Sequence, residues 1–215
     1  MEVEAKFTIP DEQTFQRLLE TAELAGFSLG EGVVVRLQDL YLDTVAGAIR
    51  TGGFACRLRR EETCYLATLK GLGAVSGAVH RRVEHQVRLS EPLPPWDWPS
   101  CIARDLVLPL LGNELLTLLF EIDQRRHSRS LFQAGRSVAS LNLDRVCICP
   151  REPYRRADTY LELEVELLPD GSEADLDRLV DALESEWGLM PEGRSKFQRG
   201  LALCGSGGAR RWKAE

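Results

Sequence analysis

The feature that most constrains this chain is a nine-residue run, Tyr160-Leu-Glu-Leu-Glu-Val-Glu-Leu-Leu168, in which apolar and acidic residues alternate without a break. Period-two alternation predicts a β-strand, with Leu161, Leu163, Val165 and Leu167 on one face and Glu162, Glu164 and Glu166 on the other. Three carboxylates in line repel one another unless cations lie between them. Such a strand needs a cation-rich neighbourhood or open water on its acidic side.

The same pattern recurs along the chain. Residues 2–9 alternate Glu2, Glu4, Lys6 and Thr8 with Val3, Ala5, Phe7 and Ile9. Further strands are predicted at 33–43, 54–61, 64–70, 79–90, 116–130, 136–144 and 158–168, separated by turns at Gly52-Gly53, Glu61-Glu62, Gly71 to Gly77 and Ala134-Gly135. Several carry charge on one face: Arg57 with Arg59, Thr68 with Lys70, Arg82 with Glu84, and Asn142 with Asp144. Arg125, Arg126, Arg129 and Lys196 add further cations. If the sheet closes into a barrel, one face of every strand points inward, and here it is the charged one. A charged interior is tolerable only if it is hydrated or holds ions and an ionic ligand.

Helices are predicted from Asp11 to about Gly26, at about 100–112, and at 173–187, the last opened by Ser172 with Asp175 three residues on. The run Pro92–Pro99, with Trp96 and Trp98, reads as a stiff crossing between two halves of one barrel. The tail 205–215 reads as disordered.

Grouped carboxylates suit hard divalent cations such as Mg²⁺ or Mn²⁺, and several Arg and Lys suit phosphoryl oxygens. A site with both implies a metal-chelated polyphosphate. The formal net charge of −6 argues against a general nucleic-acid or anionic-membrane binder. There is no secretion-signal h-region and no apolar stretch of membrane-spanning length, so the cytoplasm is the expected compartment. The six cysteines form no metal pattern and are expected as reduced thiols.

These residues resemble the CYTH family, the triphosphate tunnel metalloenzymes. Glu2-Val-Glu-Ala-Lys6 matches the family's Glu-x-Glu-x-Lys signature. Tyr41-Leu-Asp-Thr44, Cys56-Arg-Leu-Arg59, Thr68-Leu-Lys-Gly71, Leu141-Asn-Leu-Asp144, Glu162-x-Glu-x-Glu166 and Ser195-Lys196 follow in family order. The resemblance spans residues 1–204 and implies an α+β fold: a closed eight-stranded antiparallel β-barrel with helices packed outside. It implies that Lys6, Arg57, Arg59, Lys70, Arg82, Arg126 and Lys196 grip a triphosphate. Glu2, Glu4, Asp144, Glu162, Glu164 and Glu166 would bind Mg²⁺ or Mn²⁺, with Glu4, Lys6 and Glu164 catalytic. Which of Arg125, Arg126 and Arg129 faces inward depends on the absence of a bulge. The chain departs from the family at Arg82-Val-Glu-His-Gln86, where many members carry a second acid in place of Gln86.

The expected activity is metal-dependent hydrolysis of inorganic triphosphate, by a monomer or homodimer. Its rivals are thiamine triphosphate hydrolysis, with Trp96, Trp98 or Trp187 as an aromatic platform, and a non-catalytic polyphosphate-binding module. Adenylate cyclisation is less favoured because nothing in the sequence is suited to hold adenine.

Overall fold

The computed structural model describes residues 1–61, 63–150, 157–204 and 210–211. The strands in chain order are β1 (Glu2–Ile9), β2 (Glu23–Leu24), β3 (Phe27–Leu29), β4 (Val33–Asp43), β5 (Phe54–Arg60), β6 (Tyr65–Gly71), β7 (Ala74–Ser76), β8 (Val79–Arg82), β9 (Glu84–Leu89), β10 (Thr117–Gln133), β11 (Arg136–Pro150), β12 (Asp158–Leu167), β13 (Met190–Pro191) and β14 (Arg210–Arg211). The helices are α1 (Glu12–Glu20), α2 (Ala48–Thr51), α3 (Ile102–Leu111), α4 (Glu173–Ser185) and α5 (Lys196–Cys204).

One curled antiparallel sheet runs in the order β7-β8-β1-β12-β11-β10-β4-β5-β6-β9. Its two ends meet in sequence, because β8 and β9 are successive pieces of the run 79–89 with only Val83 between them. β8 is laddered to β1 and β9 to β6. Counting that run as one, eight strands surround the bore, as expected. The ladder itself does not return on itself, so the barrel, expected to be closed, is open at this seam. Val83 turns out to solvent there, and its carbonyl oxygen accepts from the Gly71 N–H at 2.9 Å.

Alternation sorts the side chains as the sequence predicts. The outward residues Ala5, Phe7, Leu141, Leu163 and Val165 form a core with Phe15 and Leu18 of α1 and Leu176, Leu179 and Leu183 of α4. Across the barrel, Leu42, Cys56, Leu58, Ala67 and Leu69 pack with Trp98 and with Ala103, Val107 and Leu111 of α3. Helices therefore cover both apolar outer faces. Fully burying each large side chain contributes roughly 1.5–3 kcal/mol.

A third apolar group lies within the curl of the sheet. Tyr41, Phe120, Ile122, Val146 and Ile148 meet Phe197 of α5. Tyr41 stacks on Phe120 with ring centroids 4.9 Å apart and lies 5.6 Å from Phe197. α5 approaches so closely that a Cβ on Gly200 would sit 2.2 Å from the Phe120 ring, so only glycine fits. This plug bounds the polar interior.

Some expectations need correction. α1 starts at its Asp11 cap, where the Thr14 N–H donates to Oδ1 at 2.7 Å, but it ends at Glu20 rather than near Gly26. Ala25 and Gly26, at φ of 51° and 79°, instead form the two-residue turn of a small hairpin between β2 and β3, as a type I′ turn requires. The stretch 71–77, expected as a turn, contains β7. β11 continues to Pro150, beyond the expected 144. The Ser172–Asp175 capping box opens α4 as predicted. Pro95–Asp97 forms a 3-10 turn within the Pro92–Pro99 crossing, and the Trp98 indole N–H donates to the Leu93 carbonyl oxygen at 2.9 Å. Cys56, Cys64, Cys101, Cys147 and Cys149 are free thiols. The tail expected to be disordered lies outside the described residues, except for β14, which pairs with Thr117–Leu118. Among the described residues no helix is long and apolar enough to cross a membrane.

Candidate functional site

The charged inner faces converge on a cavity of about 150 Å³. All seven expected phosphate-binding residues line it: Lys6, Arg57, Arg59, Lys70, Arg82, Arg126 and Lys196. Of the expected metal ligands, Glu2, Glu4, Glu164 and Glu166 line it too. Asp144 and Glu162 sit behind that surface, both fully buried.

Strand register explains the meeting. Lys6 lies opposite Glu164, Glu4 opposite Glu166 and Asp144 opposite Glu162. The Lys6 ammonium is bonded to Glu164 and stands 3.4 Å from Glu4. Lys196 enters from the first turn of α5, with its Nζ 3.0 Å from Asp144 and 2.7 Å from Glu164, and is also bonded to Glu162. Cations between the glutamates are what the acidic row demands. Arg126 faces inward, its Nε and Nη2 donating to the two oxygens of Asp144 at 2.8 and 2.6 Å, with a further bond to Glu164. Arg129 points outward and ties down backbone carbonyls of Leu19, Thr21, Leu29 and Gly30. Arg125 lies between the two inward-facing residues Gln124 and Arg126, and so on the outer face.

The adjoining wall repeats the fork. Arg59 donates from Nε and Nη2 to the two oxygens of Asp39 at 2.7 and 2.8 Å, and Arg57 stands 3.7 Å from the same carboxylate. Lys70 lies 2.8 Å from Glu2 and 2.9 Å from Glu84. Arg82 spans Glu2, at 2.9 Å, and Glu4. Gln86 also lines the cavity and donates to Glu84.

The charge balance shifts the acids in opposite directions. Burial pushes Glu162 up to about 7, against the pull of Lys196 and Lys6. Glu164, equally buried, is held well below the usual carboxylate range because Lys196, Lys6 and Arg126 all touch it. Burial and the nearby Glu2 and Glu4 raise Glu166 to about 7. Burial opposes ionisation of Glu84, but Lys70 and Arg57 outweigh it and bring it to about 2. For Lys196, burial is overcome by Glu162, Glu164 and Asp144, so it stays firmly protonated.

Five buried polar groups find no hydrogen-bond partner among the described residues: the Arg57 Nε, the Gln124 amide, one oxygen of Glu162, the Tyr160 hydroxyl and the Arg104 Nε. Unsatisfied buried groups cost about 1–3 kcal/mol each, and a ligand in the cavity would satisfy those of Arg57 and Gln124, which line it. The carboxylate oxygens of Asp144, Glu162 and Glu164 come within 4.8 Å of one another, a hard-oxygen set able to hold a divalent cation.

Sequence reasoning missed Asp39, Gln124, and the inner wall formed by Tyr41 and Phe197. Asp43, part of the matched Tyr41–Thr44 motif, does not reach the cavity. It accepts from the N–H groups of Thr44, Ile49 and Arg50 and so caps α2. Trp96, Trp98 and Trp187 do not line the cavity either: Trp98 is core, Trp187 carries Arg17 above its ring, and Trp96 is partly exposed on the crossing.

Solved structures share this architecture. A Hippeastrum protein named as a candidate adenylyl cyclase, with a dominant triphosphatase activity, superposes with a TM-score of 0.66 at 22% identity. The match covers 92% of this chain and 93% of that one. A Bacillus halodurans protein named as a candidate adenylate cyclase matches at TM-score 0.58 and 19% identity, covering 93% and 96% of the two chains. A Pyrococcus horikoshii protein matches at 0.57 and 18%, covering 93% and 97%. At these identities the likeness establishes the fold. The CYTH domain model matches residues 1–201, and the chain belongs to the CYTH domain family.

Proposed function

We propose that this chain is a divalent-metal-dependent triphosphatase that hydrolyses inorganic triphosphate to pyrophosphate and phosphate. The observation that carries the reading is the joint lining of one cavity by seven cations and a set of carboxylates, with donors and acceptors left over on both sides. The Hippeastrum structure of the same fold is described with a dominant triphosphatase activity, which agrees with it.

In this reading Lys6, Arg57, Arg59, Lys70, Arg82, Arg126 and Lys196 grip the phosphoryl oxygens, with Arg57 and Gln124 contributing their unpartnered atoms. Glu2, Glu4, Asp144, Glu162, Glu164 and Glu166 offer oxygen ligands to Mg²⁺ or Mn²⁺. A bound divalent cation supplies charge neutralisation and acidifies a coordinated water. Glu4 and Glu164 orient the attacking water, and Lys6, held between them, keeps both carboxylates placed. The water oxygen bonds to the terminal phosphorus and the bridging P–O bond breaks. The electron pair leaves on pyrophosphate, and the water proton passes to a carboxylate of the set.

The inorganic substrate is favoured over thiamine triphosphate by the aromatic groups of the wall. Tyr41 and Phe197 are turned into the plug with Phe120, so neither presents a free ring face for a heterocycle. The test compares kcat/KM for inorganic triphosphate, thiamine triphosphate and ATP with Mg²⁺ or Mn²⁺ in excess. Inorganic triphosphate should lead. A lead for thiamine triphosphate would reassign the substrate, and binding of all three without phosphate release would favour a phosphate-binding module.

A further inference from the structure

Beside the seam between β8 and β9, the charged side chains of the two flanking ladders are tied to one another, and the Lys70–Glu2 pair crosses from β6 to β1. Arg82 holds both Glu2 and Glu4. Lys70 joins Glu2 of β1 to Glu84 of β9. Every one of these residues lines the cavity, so the carboxylates that face a metal are already occupied by the cations that face phosphate. At Glu2 and Glu4, then, neither kind of ligand finds its partners free.

We infer that metal and phosphate bind by partner exchange at this seam: Arg82 and Lys70 block Glu2 and Glu4 until phosphoryl oxygens draw the two cations away. The inference rests on the triphosphatase reading for the nature of the ligands. Divalent cation alone meets a carboxylate pair neutralised by an arginine and a lysine. Triphosphate alone must strip those cations from Glu2 and Glu4, leaving bare acids against an anion. Bound together, phosphate takes Arg82 and Lys70 while metal takes Glu2 and Glu4, and every charge keeps a partner. The site therefore takes the metal–triphosphate pair with positive coupling, and linkage makes the coupling factor the same from either side. Arg82 and Lys70 are positioning residues for the metal ligands as well as phosphate contacts.

The test titrates Mn²⁺ alone into the metal-free chain, following free Mn²⁺ by electron paramagnetic resonance. It is repeated with an imido-bridged triphosphate that resists hydrolysis. Wild type should bind Mn²⁺ weakly alone and about tenfold or more tightly with the analogue, a size typical of such coupling. Arg82→Ala should bind Mn²⁺ alone about tenfold tighter than wild type, while its coupling to the analogue falls towards one. Arg59→Ala is the control, since it removes the same charge from the same cavity but frees Asp39 rather than Glu2 and Glu4. Its Mn²⁺ affinity should rise far less. Thermal melts report whether each variant is folded. If Arg82→Ala is not, Lys70→Ala carries the test with a smaller gain of the same sign. No gain in the folded seam variant, or an equal gain in Arg59→Ala, would overturn the exchange. Seam gains in a chain whose wild type does not turn over triphosphate would uphold the exchange and sink the hydrolysis reading. Turnover without those gains would sink the exchange alone.

Discussion

Two walls of the cavity use one device to different ends. On the wall of β10 and β11, Arg126 forks onto Asp144; on the wall of β4 and β5, Arg59 forks onto Asp39, with matching Nε and Nη2 geometry. In both, the arginine and aspartate lie directly opposite each other on paired strands. What surrounds them differs. Around Arg126 lie Glu164, Glu162, Lys6 and Lys196, nearly all sealed from solvent, and the charges interlock. Beside Arg59 stands Arg57, which shares Asp39 and carries an unbonded donor. A sealed, interlocked network is costly to break, because each lost member leaves a buried charge alone. A wall with spare donors is instead ready for an anion.

The largest effect that would break this comparison comes from Glu164. Glu164→Ala should cost about 3–5 kcal/mol of stability, because the three buried cations Lys6, Lys196 and Arg126 each lose a partner at once, read by denaturant unfolding. Glu164→Gln, which keeps the shape, should lower turnover by about 10²–10³-fold, the scale of losing one group that acts on the reacting centre. Near-wild-type turnover in a folded Glu164→Gln would contradict its assigned role.

Arg57→Ala should separate the walls most cleanly. Asp39 keeps Arg59 and Glu84 keeps Lys70, so stability should change little. Triphosphate affinity should fall roughly 10- to 100-fold, as expected for one charged hydrogen-bonding group. A stability loss as large as that of Glu164→Ala would mean that the two walls are not different in kind.

Gln86→Glu should have a smaller effect, within about tenfold, the size of about one charge-assisted contact. An acid beside Glu84 should tighten metal binding and weaken triphosphate binding on the cation-rich side. Calorimetric titration of each ligand checks both directions.

The smallest effect concerns His80, which lies opposite Glu4 in register and donates to the Glu192 carbonyl oxygen at 2.9 Å. Burial lowers its pKa, with Lys6 adding to the effect. Below the ordinary histidine range the unfolded chain then binds a proton that the folded chain refuses, so His80 makes stability fall as pH drops from 7 to 5. Unfolding curves for wild type and His80→Gln should differ in this slope. Identical slopes would show that the imidazole is not held neutral.

Much of this was legible in the residues. The strands could be read because their alternation is uninterrupted, and the acidic row of β12 called for the cations that Lys6 and Lys196 supply. Asp39 escaped notice because its partner Arg59 lies on another strand, and only register brings the two together. The plug escaped because its strand ends are apolar on both faces, as in Val146-Cys-Ile-Cys149, where alternation no longer tells inside from outside. α5 did carry a signal: the Gln198 N–H donates to Ser195 Oγ at 3.2 Å while the Ser195 N–H donates to Gln198 Oε1 at 2.8 Å. That is a capping box, readable as Ser-x-x-Gln. The inward turn of Arg126 required the bulge-free pairing across 120–131, which no local pattern encodes.

The central claim is that both walls act together on a triphosphate held with metal. The most direct measurement is the rate of phosphate release from inorganic triphosphate as divalent cation is removed by a chelator and then restored with Mg²⁺ or Mn²⁺. Turnover should disappear on removal and return in full on restoration. Turnover that persists in the chelator, or that fails to appear with either metal, would contradict it.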